Sequence, residues 1–323
     1  MATTTTPPVD VDPSPLGVPL RFEFSGRTAP NRFLKAAATE KAATYHPDNA
    51  PASGIPNDEL FQLYQTWSSG GYGTIITGNI LIDPDHLEAP GNMIIPPSAP
   101  FSGPRFESFR RLGSIGKHHG SLFLGQLNHP GRQCLSTIQP NPISASSVQL
   151  TSPLFGATFG KPRSATIPEI SSIVSAFVHA AVYLDKAGWD GIQLHAAHGY
   201  LLAQFLSPTT NLRSDPYGGS IANRARIITE IASGIRSHCK PEFILSIKIN
   251  SVEFQADGLT VAEASQLCEL LEQEAQFDFV ELSGGTYEEM GLMHRRESTK
   301  SREAFFLDFA EMIAPRLSKT KVL

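Results

Sequence analysis

The chain has 323 residues, of which 41% are hydrophobic, enough for one large barrel or two ordinary domains. Its formal net charge is only −5 and it contains no run of Lys or Arg, which argues against nucleic acid as a partner. The three cysteines, Cys134, Cys239 and Cys268, lie far apart. This spacing is typical of a reducing compartment and argues against a disulfide framework or a structural zinc site.

The N-terminal segment is rich in Thr, Pro and Asp. We therefore expect a flexible tail over residues 1–18 and a single domain over 19–323. The segment has neither the basic part nor the apolar core of a signal peptide. No stretch approaches the ~20 apolar residues that a membrane span needs. Together with the isolated cysteines, these features predict a cytoplasmic protein that does not bind a membrane.

Short apolar runs alternate along the chain with longer helical patterns, as in βα units around a parallel sheet. The first run, Arg32–Ala38, is expected to be a buried strand. A helix should follow at about Asp58–Ser69, with Asn57 as its N-cap. The later strands are predicted at Gly73–Asn79, Leu122–Asn128, Gly191–Ala197, Ile244–Asn250 and Phe279–Gly285, and the later helices at Arg105–His118, Pro168–Lys186, Ser220–His238, Val261–Glu274 and Ala304–Leu317.

Six such units in one chain favour an α/β fold of the (β/α) barrel type over a doubly wound sheet. No G-x-G-x-x-G sequence follows the first strand, so the usual sign of a Rossmann dinucleotide site is missing. The Pro-, Ser- and Thr-rich stretch Pro140–Ser164 is interpreted as a lid or hairpin outside the repeat. Because barrels carry their active sites at the carboxyl ends of the strands, the chemistry is expected there.

Polar side chains cluster at those strand ends. Several converging on one face of a barrel indicate the pocket of a small-molecule enzyme. His195 and His198 are three residues apart at a strand exit, so both rings can point into one mouth. No nearby Cys or carboxylate completes a ligand set, so we predict no metal site; two histidines satisfied by the backbone are the alternative. The strand-end residues are Thr39, Glu40, Asn79, Gln126, Asn128, His129, His195, His198, Lys248 and Asn250.

The segment around the two histidines carries a resemblance to a known family. The stretch DGIQLHAAHGYLLAQFLSPTTNLRSDPYGGSIANRAR, Asp190–Arg226, closely resembles the signature of the Old Yellow Enzyme family of FMN-dependent oxidoreductases. GQLNHPGRQ, Gly125–Gln133, is a second block, and NRFLKAAATE, Asn31–Glu40, a weaker third. SIKIN and ELSGGTYE resemble the fungal branch. The resemblance covers Pro19–Leu323 and implies a (β/α)8 TIM barrel that binds FMN and uses NADPH or NADH as reductant.

The resemblance also implies catalytic roles. His195 and His198 would bind the oxygen of a carbonyl conjugated to an alkene, where negative charge develops as hydride arrives. Tyr200 would give a proton to the α-carbon, as a phenol with a pKa near ~10 can when it is held within reach. Tyr200 as a packing residue is the alternative. The implied reaction is the reduction of the activated C=C bond of an α,β-unsaturated carbonyl compound, with isomerisation of a double bond left open.

A further set of side chains is implied to bind the flavin. Gln126 would bond the pyrimidine edge, since its amide offers both a donor and an acceptor. Lys248 stands where many relatives have arginine, and a fixed cation beside N1 favours the anionic reduced flavin. His129 and Arg132 are expected only to shape a loop. The implied flavin-binding residues are Ala37, Ala38, Thr39, Asn79, Gln126, His195 and Lys248.

The last residues, SKTKVL, resemble the opening of a seventh strand. The family continues beyond it to an eighth strand and a phosphate-binding helix. We therefore expect an incomplete barrel of about six complete units without its last two strands, with open edges and a weakened anchor for the FMN phosphate. Three explanations remain: a shortened form of an ordinary enzyme; a barrel completed by a second copy or a separate polypeptide; or a flavin-free, inactive barrel that serves as a binding or auxiliary protein. For the enzyme, the resemblance to the fungal branch implies a role in fungal secondary metabolism.

Overall fold

A computed structural model describes residues 12–151, 156–253, 255, 257–288 and 307–323. Its central sheet contains seven parallel strands in the order β7-β6-β5-β4-β3-β2-β1, and the two-residue strand Met93–Ile94 pairs with β2 outside this path. The seven strands are β1 Leu34–Lys35, β2 Thr74–Leu81, β3 Leu122–Asn128, β4 Gly191–Ala196, β5 Ile244–Val252, β6 Phe279–Gly284 and β7 Lys321–Val322.

Helices connect the strands and begin at residues suited to capping. Asn57 accepts a hydrogen bond from the backbone of Leu60, and Thr166 forms a capping box with Glu169. The predicted helices lie within a few residues of the observed ones, while α4 was not predicted. The helices are α1 Asp58–Ser68, α2 Gly103–Gly116, α3 Ile167–Lys186, α4 Leu201–Leu206, α5 Ile221–His238 and α6 Val261–Gln273.

The last predicted helix, Ala304–Leu317, begins outside the described residues. Residues 307–313 are helical, and the 3-10 helix Ala314–Arg316 follows them. The chain then enters β7, which pairs in parallel with β6, so the seventh strand suggested by the final residues is confirmed. Within the described residues the sheet ends at β1 on one side and β7 on the other.

The sheet is strongly curled. His195 of β4 bonds directly to Asn79 of β2 at 2.9 Å, although β3 lies between these strands. Gln193 of β4 reaches Glu281 of β6 at 2.8 Å across β5 in the same way. Strands two places apart in a flat sheet are separated by about 9.5 Å, so such contacts need a concave inner face. That face is the interior of a barrel-type fold.

The amino ends of the strands are closed by the N-terminal segment. Leu20–Arg21 pairs antiparallel with Thr28–Ala29, and Phe22 between them is fully buried. The Phe22 ring stacks on Phe279 at 5.2 Å between centroids. Burial of such a ring contributes about 1.5–3 kcal/mol to folding. The plug leaves the carboxyl ends of the strands as the open face of the sheet.

The first strand differs from the prediction. Only Leu34–Lys35 pairs as a strand, Arg32 is exposed and the side chain of Phe33 is 50% exposed, so the predicted buried strand Arg32–Ala38 was wrong. The physical reason is its position: β1 is the edge of the described sheet and pairs there only with β2. A strand with one paired side does not need to be apolar throughout.

The excursion Pro140–Ser164 is not a hairpin. Ile143–Ser144 pairs with Arg163–Ser164 in parallel, whereas a hairpin requires antiparallel strands. Residues 152–155 lie outside the described part of this segment. The guanidinium of Arg213 donates to the carbonyls of Ala145 and Ala165 at 2.9 and 2.7 Å. The excursion is therefore tied to the loop that follows α4, and a role as a lid stays a prediction.

Helix α3, predicted at Pro168–Lys186, is the one described helix that is long and apolar enough to cross a membrane. Its Ile170, Phe177 and Leu184 are fully buried. α3 packs against α5 and against the strands β3 and β4. This burial is the pattern of a core helix of the barrel rather than that of a lipid-facing span.

Candidate active site

Polar side chains fill the inner face of the sheet toward the carboxyl ends of β2 to β6. Residues i and i+2 of a strand share one face, so Gln193 and His195 of β4 point inward together. Packing polar groups inside a barrel is costly unless they bond one another, and here they do. The inward polar residues are Asn79, Gln126, Gln193, His195, Lys248, Asn250, Glu281 and Ser283, and all except Ser283 are buried.

A hydrogen-bonded chain runs across the mouth through the predicted histidine pair. Asn79 donates from Nδ2 to Thr39 Oγ1 at 3.1 Å and contacts His195 Nδ1 through Oδ1 at 2.9 Å. His195 Nε2 lies 3.0 Å from His198 Nδ1, and His198 Nε2 lies 2.7 Å from Ser283 Oγ. Because the amide oxygen of Asn79 can only accept, His195 donates from Nδ1 and accepts at Nε2 from His198 Nδ1, and His198 Nε2 accepts from the Ser283 hydroxyl. Both imidazoles therefore fit this chain in the neutral form.

The electrostatic surroundings agree with neutral rings. Burial, reinforced by the neighbouring His198 and the cation of Lys248, holds the pKa of His195 well below its usual range. Burial and Lys248 lower the pKa of His198 to about 4. Near neutral pH the pair consequently offers N–H dipoles rather than a positive charge.

The turn after β4 places His198 and Tyr200 in the mouth. His198 has a φ of 58°, which costs a non-glycine residue about 1–2 kcal/mol. Its backbone N–H donates to Asn250 Oδ1 at 3.2 Å, a contact that helps hold this conformation. Gly199 follows with a φ of 76°, and a Cβ there would lie 2.5 Å from Gln133 Oε1. The turn therefore requires glycine at position 199.

Tyr200 is buried at the start of α4, between the histidines and a second tyrosine. Its ring packs against His195 with 4.5 Å between centroids, and its hydroxyl lies 2.9 Å from that of Tyr287. Burial, with the nearby Tyr287, raises the pKa of Tyr200 well above its usual range. Burial likewise raises the pKa of Tyr287 to about 12. Both phenols keep their protons at neutral pH.

Below the histidines, four buried side chains form one connected network. Gln126 Nε2 donates to Gln193 Oε1, and Gln193 Nε2 donates to Glu281 Oε2, each at 2.8 Å. Lys248 Nζ donates to the other carboxylate oxygen, Oε1, also at 2.8 Å. Lys248, which the sequence suggested as a fixed cation, is paired here with the carboxylate of Glu281.

The segment after β1 approaches the mouth more loosely than predicted. Ala37 is half-buried, while Ala38 and Thr39 are exposed. Glu40 accepts a hydrogen bond from the backbone of Gly78 at 2.8 Å. A Cβ at Gly78 would lie 2.4 Å from the carbonyl oxygen of Ala38, so glycine is needed for this close approach. Through it, Thr39 reaches Asn79.

Asp83, His86 and His129 form the one group of described residues close enough to suggest a metal site. Backbone N–H groups of Gly131 and Ile143 donate to His129 Nδ1 and His86 Nε2 at 3.0 and 3.3 Å. The opposite nitrogens must then carry protons, and both face Asp83 Oδ2, at 3.6 Å from His129 and 2.8 Å from His86. A metal ligand needs the reverse arrangement. The cluster holds the loop after β3 in place, as expected for His129.

Two comparisons with known proteins show the family. The profile of the NADH:flavin oxidoreductase / NADH oxidase family matches residues 18–307. The chain is 53% identical over 313 residues to the NADH-dependent flavin oxidoreductase nadA of Aspergillus parasiticus, covering 96% of this chain and 70% of that protein. The chain belongs to the NADH:flavin oxidoreductase / NADH oxidase family.

Solved structures show the fold of this flavin oxidoreductase. The Old Yellow Enzyme homologue of Zymomonas mobilis matches with a TM-score of 0.71 at 23% identity, over 89% of this chain and 79% of that one. The 2-naphthoyl-CoA reductase in complex with 2-naphthoyl-CoA matches with a TM-score of 0.81 at 22% identity, over 96% and 46%. The TIM-barrel fold and the Old Yellow Enzyme resemblance are confirmed. The incompleteness of the barrel stays a prediction.

The structure adds residues to the family site that the sequence argument missed. Gln193 lies two residues before His195, and Glu281 and Ser283 lie opposite Lys248 and Asn250 on the neighbouring strand. Tyr287 lies within the ELSGGTYE block. Strand alternation gives the signal for Gln193, because it precedes the predicted His195 by two positions. Glu281 and Ser283 share one face of β6, but no predicted residue of that strand indicated which face points inward. Tyr287 lies in a loop, where no periodicity predicts which way its side chain points.

Proposed function

We propose that this flavin oxidoreductase, which uses NAD(P)H, reduces the activated C=C bond of an α,β-unsaturated carbonyl compound. Bound FMN would supply the hydride transfer from the nicotinamide to the alkene. The protein's own residues must then bind the flavin, hold the substrate oxygen and supply one proton. The observation that carries the proposal is Tyr200, a phenol kept protonated by burial and packed at 4.5 Å against the ring of His195.

The inner face offers groups that fit the flavin ring. No described donor reaches Gln126 Oε1, so this oxygen can accept from the pyrimidine N–H. The Lys248 ammonium, 2.8 Å from Glu281, brings a cation to the same face. The residues that would hold FMN are Ala37, Ala38, Thr39, Asn79, Gln126, His195 and Lys248.

His195 and His198 would hold the substrate oxygen. Each neutral ring carries one N–H, and fixed donors stabilise negative charge developing on a carbonyl oxygen. In the structure their facing nitrogens bond each other at 3.0 Å. A substrate oxygen that accepts from both rings must open this contact, and the Asn79 amide must turn its NH2 toward His195 Nδ1 so that the His195 proton moves to Nε2.

The proton donor is tested by Tyr200→Phe. The variant should still be reduced by NADH at the wild-type rate, whereas oxidation of the reduced protein by a cyclic enone should slow by about 10²–10⁴-fold, the contribution of a positioned general acid. Stopped-flow absorbance measures the two half-reactions separately. Tyr183→Phe is a matched control, because the buried Tyr183 hydroxyl has no described partner and lies outside the site. Unchanged enone turnover in Tyr200→Phe contradicts the assignment.

NADH is proposed as the reductant because the 53% identical relative is named NADH-dependent. Stopped-flow reduction should then be faster with NADH than with NADPH at equal concentration.

The same fungal relative supports the proposal of a role in fungal secondary metabolism. We also propose a cytoplasmic location, and association of the open edges of β1 and β7 with a second copy or a completing chain. Sedimentation equilibrium of the purified protein tests the association, and a single monomeric species contradicts it.

A further inference from the structure

The network beneath the histidines contains a single anion. Its four residues come one each from the neighbouring strands β3, β4, β5 and β6, and each is at least nine-tenths buried: Gln126, Gln193, Lys248 and Glu281. Both oxygens of the Glu281 carboxylate accept hydrogen bonds, one from Lys248 and one from Gln193. An ionised carboxylate has no donor, so any group that bonds it must present an N–H or O–H.

This rule fixes the orientation of both amides. Gln193 must turn its NH2 toward Glu281, which leaves its carbonyl oxygen facing Gln126. Gln126 must then turn its own NH2 toward Gln193. The carbonyl oxygen of Gln126 therefore takes no part in the network and is left to accept a hydrogen bond from a ligand. A side-chain amide alone does not select one of its two orientations, but a chain of amides that ends on a carboxylate does.

We propose that Glu281 is a positioning residue that acts on bound FMN in two ways, an inference that rests on the proposed function. Through Gln193 it holds Gln126 as a hydrogen-bond acceptor for the pyrimidine N–H. Through its ion pair it restrains and partly neutralises Lys248, which limits how strongly that cation stabilises an anionic flavin. The two effects act on different properties of the bound cofactor and can be measured apart.

Three variants separate the effects. Gln193→Met keeps the side-chain volume and the charges but breaks the amide chain, so the FMN dissociation constant should rise about tenfold, the difference between an oriented and an unoriented polar contact. Its affinity for sulfite, which forms an anionic adduct with oxidised flavin, should stay at the wild-type value. Lys248→Met should weaken the sulfite adduct about tenfold, because the cation that stabilises the anionic adduct is lost.

Glu281→Gln should change both affinities, weakening the binding of FMN and strengthening the binding of sulfite. FMN should bind about tenfold more weakly because an amide at position 281 no longer forces the direction of the chain. Sulfite should bind about tenfold more tightly because Lys248 loses its counter-charge. In the double variant Glu281→Gln with Lys248→Met, sulfite affinity should fall while the weak FMN binding remains.

The measurements are quenching of FMN fluorescence and sulfite titration followed by flavin absorbance, with neither depending on turnover. Glu230→Gln is the control, since Glu230 binds Tyr217 away from the site and should leave both values unchanged. If Glu281→Gln and Gln193→Met lower the melting temperature but keep wild-type FMN and sulfite affinities, the residues are merely structural and the inference is wrong. If the wild-type protein itself does not bind FMN, the proposed function fails, and the inference falls with it.

Discussion

Acidification should destabilise the protein through His198. Burial holds the pKa of this imidazole at about 4, against 6.5 for the free side chain. Between these values the unfolded chain binds a proton that the folded protein does not. The stabilisation is therefore fully present above the unfolded pKa of 6.5 and is lost as the pH falls toward 4. From about pH 7 to about pH 4.5, this single group should remove about 2 kcal/mol from the free energy of unfolding.

Other groups titrate in the same interval, so a variant is needed to isolate His198. Burial lowers the pKa of His129 to about 4 as well, which adds to the loss. Burial raises the pKa of the Glu40 and Glu253 carboxyls, which acts in the opposite direction. His198→Asn is the substitution of choice, because asparagine tolerates the positive φ at this position better than most residues.

Urea unfolding of the wild type and of His198→Asn, followed by circular dichroism and tryptophan fluorescence, measures the effect. The difference in unfolding free energy between the two pH values should be about 2 kcal/mol smaller in the variant. His118→Asn is the control, because His118 is exposed just beyond the end of α2 and away from the site. Identical pH dependence in the wild type and His198→Asn would refute the argument that burial keeps this ring neutral.

Three further predictions concern positions that shape the site. Gly78→Ala should destabilise the protein by about 1–3 kcal/mol and weaken FMN binding, because the added Cβ displaces the segment that holds Thr39. Urea unfolding and FMN titration measure the two effects, and wild-type values in both would contradict the prediction. Asp83→Asn should cost about 1.5–3 kcal/mol in urea unfolding, since the N–H of His86 loses its anionic hydrogen-bond acceptor at 2.8 Å. Phe22→Ala should cost about 3–5 kcal/mol and lower the melting temperature, and an unchanged value would show that the plug does not stabilise the barrel.

The regular elements were predicted well where periodicity was strong. β3 was predicted with its observed bounds, and α3 began within one residue of the predicted start because Pro168 follows the capping Thr166. The prediction failed at β1, where the sequence alternates little and the strand lies at a sheet edge. It also failed for Ile143–Ser144 and Arg163–Ser164, because nothing in a local pattern specifies that two short strands run parallel.

The residues of the candidate site were easier to predict than the hydrogen bonds that join them. Three predicted residues, Gln126, His195 and Lys248, lie on one inner face, and the turn after β4 brings His198 and Tyr200 next to them. Their roles at the site stay a prediction. The bonds between them were not foreseen, because they join strands that are distant in sequence and depend on how far the sheet curls. The ion pair of Lys248 with Glu281, 33 positions away in the sequence, is such a case.

The most direct test of the central claim is an anaerobic titration. The purified protein is mixed with excess FMN, freed of unbound flavin and titrated with NADH while its visible spectrum is recorded. We predict one FMN retained per chain, bleached by one equivalent of NADH and restored when a cyclic enone is added. A colourless protein that retains no FMN, or a bound flavin that neither NADH nor NADPH bleaches, would contradict the account.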